Sequence, residues 1–180
     1  DMVIGSVKRN YQHLAADHPH LVRRLVIHSS AYTLSESAKR LQLQVAALAK
    51  GHRWQQAYAA MFGPIVFPAG APKLVSQPML WLLSALLSLG APRDPTDLVV
   101  TVEAEDQHGF RDRLAEITAP TLVVAGARDP FYTVELFRET AQGMPNARLI
   151  LYDGMGHPAG GRKFAQDVLA FLKEPTPTGA

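Results

Sequence analysis

The sequence predicts an α/β fold: a partial parallel sheet of about four strands flanked by helices, with an inserted helical cap. Three observations carry this reading. Two apolar stretches, Thr121-Leu-Val-Val-Ala-Gly-Ala-Arg-Asp129 and Ala147-Arg-Leu-Ile-Leu-Tyr-Asp-Gly-Met-Gly-His157, each stop at a glycine turn and then present one ionisable side chain. Helix-forming segments follow each of them, and strands separated by helices imply parallel pairing, since a parallel connection needs a crossover element. From Thr33 to about residue 115 the character changes to helix formers punctuated by Gly and Pro.

Met2-Val-Ile-Gly5 reads as a strand. Residues 11–18 are the tail of a helix stopped by Pro19, and Leu21-Val-Arg-Arg-Leu-Val-Ile-His28 is the next strand, its core at Leu25-Val-Ile27. Thr33-Leu-Ser-Glu36 makes a capping box, and Ala38 to Lys50 forms a helix closed by Gly51. A second helix covers His52 to Phe62, and the stretch from Gly63 to Pro72 is loop by its proline and glycine density. The apolar run Leu74 to Leu89 is a third helix, and Asp94 as N-cap with Pro95 behind it opens a fourth toward Glu105. After Pro120 the order is strand 121–125, helix 131–142, strand 148–152 and helix 161–173. The expected division is a core of residues 1–32 and 116–174, a helical cap of residues 33–115, and a frayed tail of residues 175–180.

With 180 residues, 47% of them hydrophobic, the chain can bury a sizeable core. Eighteen Lys plus Arg against sixteen Asp plus Glu leave a formal charge of +2, which is no basic footprint, so a nucleic-acid partner is not expected. The pairs Lys8-Arg9 and Arg23-Arg24 are too slight to alter that. The longest apolar run, Met79 to Leu89, is well short of the ~20 residues that span a bilayer. No cysteine is present, which fits a reducing compartment, and no secretory signal opens the sequence; a cytoplasmic location is expected. His13, His18 and His20 lack the i, i+4 spacing of a helical metal site and read, with Asp17, as a helix end and loop, so no metal and no cofactor are implied.

The stretches Ala16-Asp-His-Pro-His-Leu-Val-Arg-Arg-Leu-Val-Ile27, Ile117-Thr-Ala-Pro-Thr-Leu-Val-Val-Ala-Gly-Ala-Arg-Asp129 and Gly154-Met-Gly-His157, in this order and spacing, resemble the α/β-hydrolase fold superfamily. The likeness runs from about Tyr11 to Leu172 and is to the carboxy-terminal part of capped esterases, lactonases and carbon–carbon-bond hydrolases. It implies a Ser-Asp-His triad. Asp129 matches the family's acid, which orients and stabilises the imidazole; a second reading of Asp129-Pro130 is a helix N-cap followed by the favoured first residue, and the two roles are compatible. His157 matches the general base, on a loop whose two glycines allow a tight turn; the plainer reading is a solvated loop residue.

The nucleophile is where the sequence departs from the family. A G-x-S-x-G elbow places serine on a strained turn between small neighbours. Aligned on Gly5, the nucleophile position falls on Val7 and the second glycine on Arg9; aligned backwards from Gln12 and Ala16, the segment is about two residues short. Ser6 is the only hydroxyl nearby, one place early, and its plainer reading, which outweighs the nucleophile, is a turn serine. Ser29 and Ser30 match the start of the cap and read as pocket lining or turn residues. Asp1 resembles a cut inside a fold, so the expectation is a truncated member lacking the early strands and their oxyanion donor.

The resemblance therefore implies a serine-type hydrolase reaction on a small apolar ester- or ketone-like substrate, impaired here. The alternative is an inactive homologue that acts as a binding or interaction domain. Trp54, Tyr58, Met61, Phe62, Met79 and Trp81 are candidates for an apolar pocket face, although such residues at helical spacing are commonly core. An apolar strand at Met2–Ile4, left on a sheet edge, is expected to recruit another strand, so self-association is expected there.

Overall fold

A computed structural model of the chain describes residues 2–5, 10–67, 72–106 and 109–175, with only the backbone at 2–5, 10 and 73. The chain divides into two compact units, one of Asp1–Thr33 with Gly109–Ala180 and one of Leu34–His108.

The first unit is built on a four-stranded parallel sheet, β1 (Met2–Gly5), β2 (Arg24–His28), β3 (Thr121–Gly126) and β4 (Ala147–Tyr152), in that spatial order. Leu25 pairs with Thr121 and Thr121 with Ala147, so the strands end close to level with one another. The sheet matches the fold class and strand number expected from the sequence. Both faces of β2 and β3 are buried, which is why these strands read as unbroken apolar runs and not as alternating ones. Leu25, Ile27, Val123 and Ala125 enter one core with Phe110, Leu114 and Phe137. Val26, Leu122 and Val124 enter the other, with Tyr152, Val168 and Phe171. The period-2 geometry of a strand makes that division.

Helix α1 (Asn10–Asp17) stops before Pro19, as the sequence indicates. The following strand starts later than read, at Arg24, because Pro19–Leu21 winds into a 3-10 turn with proline at its first position. None of the helices, among the described residues, is long and apolar enough to cross a membrane.

The second unit holds α2 (Glu36–Lys50), α3 (Trp54–Val66), α4 (Lys73–Ser88) and α5 (Thr96–Asp106). Two details differ from the sequence reading. The cap of α2 is Ser35, whose Oγ accepts from the N–H of Ala38 at 3.2 Å, not Thr33. Helix α3 continues through Gly63 and Pro64, which composition assigns to a loop. A Cβ on Gly63 would stand 3.2 Å from Leu80 of α4, so close α3–α4 packing outweighs the local cost of proline. Asp94 does cap its helix start, its Oδ1 accepting from the N–H of Thr96 at 2.9 Å. Trp54 is buried, and with Tyr58 and Met61 it lines a cavity of about 170 Å³ inside this unit, whereas Met79 and Trp81 lie exposed on α4.

Candidate active site

Three loops leave the carboxyl ends of β2, β3 and β4, the edge of a parallel sheet where polar side chains can converge without competing with the ladder. The loop after β3 carries Asp129. Helix α6 (Val134–Gln142) begins only at Val134, capped by Thr133, so Asp129 is not its N-cap. It caps a turn instead: Oδ1 accepts from the N–H of Phe131 at 2.9 Å and of Tyr132 at 3.2 Å. Its second oxygen, Oδ2, lies 2.7 Å from His157 Nδ1. The carboxylate is wholly shielded from solvent and the imidazole 16% exposed. A buried carboxylate is tolerated because both oxygens are engaged.

The loop after β4 brings the imidazole back across the end of β3. Gly154 takes φ +79°, a left-handed turn that favours glycine. The Met155 carbonyl then accepts from the N–H of Arg128 at 2.9 Å, and the N–H of Ala127 donates to Tyr152 O at 3.0 Å. This close pass is possible because residue 126 is glycine: a Cβ there would fall 2.3 Å from Met155 O and 2.5 Å from Gly156 O. Phe131 packs edge-on against the His157 ring at 4.9 Å, and Tyr132 stacks near it at 6.3 Å. Of the two ring nitrogens of His157, only Nδ1 has a hydrogen-bond partner among the described residues. The arrangement can fix one tautomer, with Nδ1–H donated to Asp129 and Nε2 left as a base.

The same loop reaches β2. The N–H of Ala159 donates to Ser29 Oγ at 2.9 Å, and His28 Nε2 donates to Ala159 O at 2.5 Å. The His28 ring also stacks on Phe164 at 4.4 Å, and burial first of all pushes its pKa below the ordinary value. The sequence marks Ser29 as pocket lining or a turn residue, but the pairing of His28 and Ser29 on Ala159 was missed. The signal available was an imidazole and a hydroxyl side by side at the carboxyl end of a strand next to the one that delivers the acid.

Ser6 lies outside the described residues. The amino-terminal histidines serve other contacts: His13 Nδ1 lies 3.4 Å from Arg113, and the rings of His18 and His20 meet edge to face. Among the described residues no group of three or more His, Asp or Glu could hold a metal ion.

A family model described as "TAP-like protein", of the Abhydrolase_4 family, matches residues 92–178. Over 70 residues the chain is 37% identical to a 2-hydroxy-6-oxononadienedioate/2-hydroxy-6-oxononatrienedioate hydrolase of Cupriavidus pinatubonensis, a match covering 37% of this chain and 24% of that protein. Over 79 residues it is 35% identical to a non-heme chloroperoxidase of Kitasatospora aureofaciens, covering 41% of this chain and 29% of that one. Its fold matches an α/β-hydrolase enzyme from a Medee basin deep-sea metagenome library with a TM-score of 0.73 at 16% identity, over 96% of this chain and 64% of the other. The chain thus matches about a quarter of the length of its curated relatives. Family model, hydrolase relative and fold all point to the α/β-hydrolase superfamily, which this chain resembles.

Proposed function

We propose that this chain carries the acid–base half of a serine-type hydrolase site, with Asp129 as the orienting acid and His157 as the general base. The observation that supports it is the 2.7 Å contact between Asp129 Oδ2 and His157 Nδ1, made by a carboxylate shielded from solvent and braced on its other oxygen. The reaction class is hydrolysis of an ester, a lactone or an activated carbon–carbon bond in a small apolar substrate.

In this reading Asp129 accepts the Nδ1 proton and keeps Nε2 unprotonated. Nε2 takes the proton of the attacking hydroxyl, and the imidazolium that results is stabilised by the Asp129 carboxylate. The same proton then passes to the leaving group, and a water activated by Nε2 releases the acyl product. Ser6 is assigned as the hydroxyl by its place in the sequence. The absence of small residues at positions 7 to 9 favours weak activity, because an elbow without them aims neither the hydroxyl nor the following N–H; one missing oxyanion donor alone costs about 3 kcal/mol in a transition state. That same departure favours the second reading, a chain that binds without turning over.

Hydrolysis of a short p-nitrophenyl ester by wild type, Ser6→Ala and His157→Ala separates the two. Loss of turnover in His157→Ala supports the hydrolase. Unchanged turnover in that variant ends it, and loss in Ser6→Ala as well assigns the nucleophile.

A further inference from the structure

We propose that His28 and Ser29 are positioning residues for His157, gripping the backbone of Ala159 from both sides so that the loop carrying the imidazole is pinned at the end of β2. The inference rests on the Asp129–His157 reading above and adds to it a contribution from a third strand.

Ala159 is 1% exposed, so its N–H and C=O are cut off from water and each needs a protein partner. One side chain from each of two consecutive residues supplies them. Ser29 Oγ accepts the N–H at 2.9 Å, and the His28 Nε2–H donates to the carbonyl at 2.5 Å. Ala159 lies two residues beyond His157, so fixing both of its backbone groups fixes the exit of the short segment whose entry is fixed where Met155 O meets the N–H of Arg128. The imidazole sits between these anchors.

The backbone of Ser29 argues that its side chain is the reason it is there. Its φ is +46°, in the left-handed region that an L-residue enters at a cost and glycine enters freely. A turn alone would be served better by glycine. A serine held in that conformation, 1% exposed, with its N–H donated to Val124 O at 2.8 Å, presents a hydroxyl whose one described partner is the Ala159 N–H. His28 is equally constrained, between Phe164 on its ring face and Ala159 O at its edge.

The test reads the imidazole and not turnover. In the full chain labelled with nitrogen-15, the hydrogen-bonded Nδ1–H of His157 is followed by NMR, and its exchange with water is measured in wild type, Ser29→Gly, His28→Phe and His28→Gln. Ser29→Gly removes the hydroxyl while relaxing the backbone, so it folds; His28→Phe keeps the stacking and loses the donor; His28→Gln restores a donor. A core variant, Phe171→Leu, chosen at the far end of α7 (Gly161–Lys173) and matched in Tm, reports loss of stability alone. Exchange faster by about tenfold or more in Ser29→Gly and His28→Phe, with recovery toward wild type in His28→Gln and no change in Phe171→Leu, supports the proposal. Equal exchange in all of them overturns it, as does an equal rise in Phe171→Leu. A wild-type protein with no protected Nδ1–H overturns both this proposal and the acid–base pairing, whereas a wild type with the signal but no esterase activity removes only the proposed reaction.

Discussion

The carbonyl oxygen of Met155 passes 2.3 Å from the point where a Cβ on Gly126 would stand, so the end of β3 and the loop that carries His157 are in backbone contact. No side-chain rearrangement can relieve an added methyl there, because the atoms it meets are main-chain oxygens. Gly126→Ala is therefore expected to push the loop outward, costing about 1–3 kcal/mol of stability. The shift should also lengthen the His157–Asp129 hydrogen bond. Urea unfolding checks the first effect, and the His157 imidazole NMR signals check the second.

Asp129 divides its two oxygens between a turn and the imidazole, so two substitutions should part company. Asp129→Asn keeps an acceptor for the N–H groups of Phe131 and Tyr132 but removes the charge, and any His157-dependent turnover is expected to fall by about 10⁴-fold with small loss of stability. Asp129→Ala also strands both N–H groups and should cost a further 1–2 kcal/mol, roughly. Paired ester assays and denaturation curves measure the difference.

Burial holds the His28 pKa below its ordinary value of 6.5, an effect partly offset by its hydrogen bond to Ala159. Between the lowered folded value and 6.5 the unfolded chain binds more protons than the folded one, so stability rises with pH across that window. The contribution is complete above 6.5 and is lost as the pH falls through the folded value. His28→Gln, which cannot titrate, is expected to lose less stability than wild type as the pH falls below 6.5. Urea midpoints at several pH values test this; parallel curves for the two proteins would contradict it.

β1 is the outer strand of the described sheet, pairing with β2. If its free side recruits a second strand, the chain self-associates in proportion to concentration, and Val3→Lys should weaken association by placing a charge on that edge. Sedimentation at two or more concentrations reads the outcome, a wild-type monomer throughout being the contrary result.

The elements legible in the sequence were those whose signals are local. Apolar stretches running into glycine turns gave β3 and β4, and Pro19 marked the end of α1. Where tertiary contact competed, local reading failed. Pro64 sits inside α3 because Gly63 packs against Leu80, and Asp129 caps a turn instead of α6 because Thr133 takes the helix start.

By itself the sequence determined the class of fold and the order of the strands along the chain, since apolar periodicity and glycine turns are properties of neighbouring residues. Only the tertiary structure decided that residues 129 and 157 share a hydrogen bond, that Gly126 yields its Cβ space to the loop above it, and that β2 contributes His28 and Ser29 to the same loop. Those contacts join segments up to 131 residues apart, and no local pattern encodes a distance that the packing of the sheet creates.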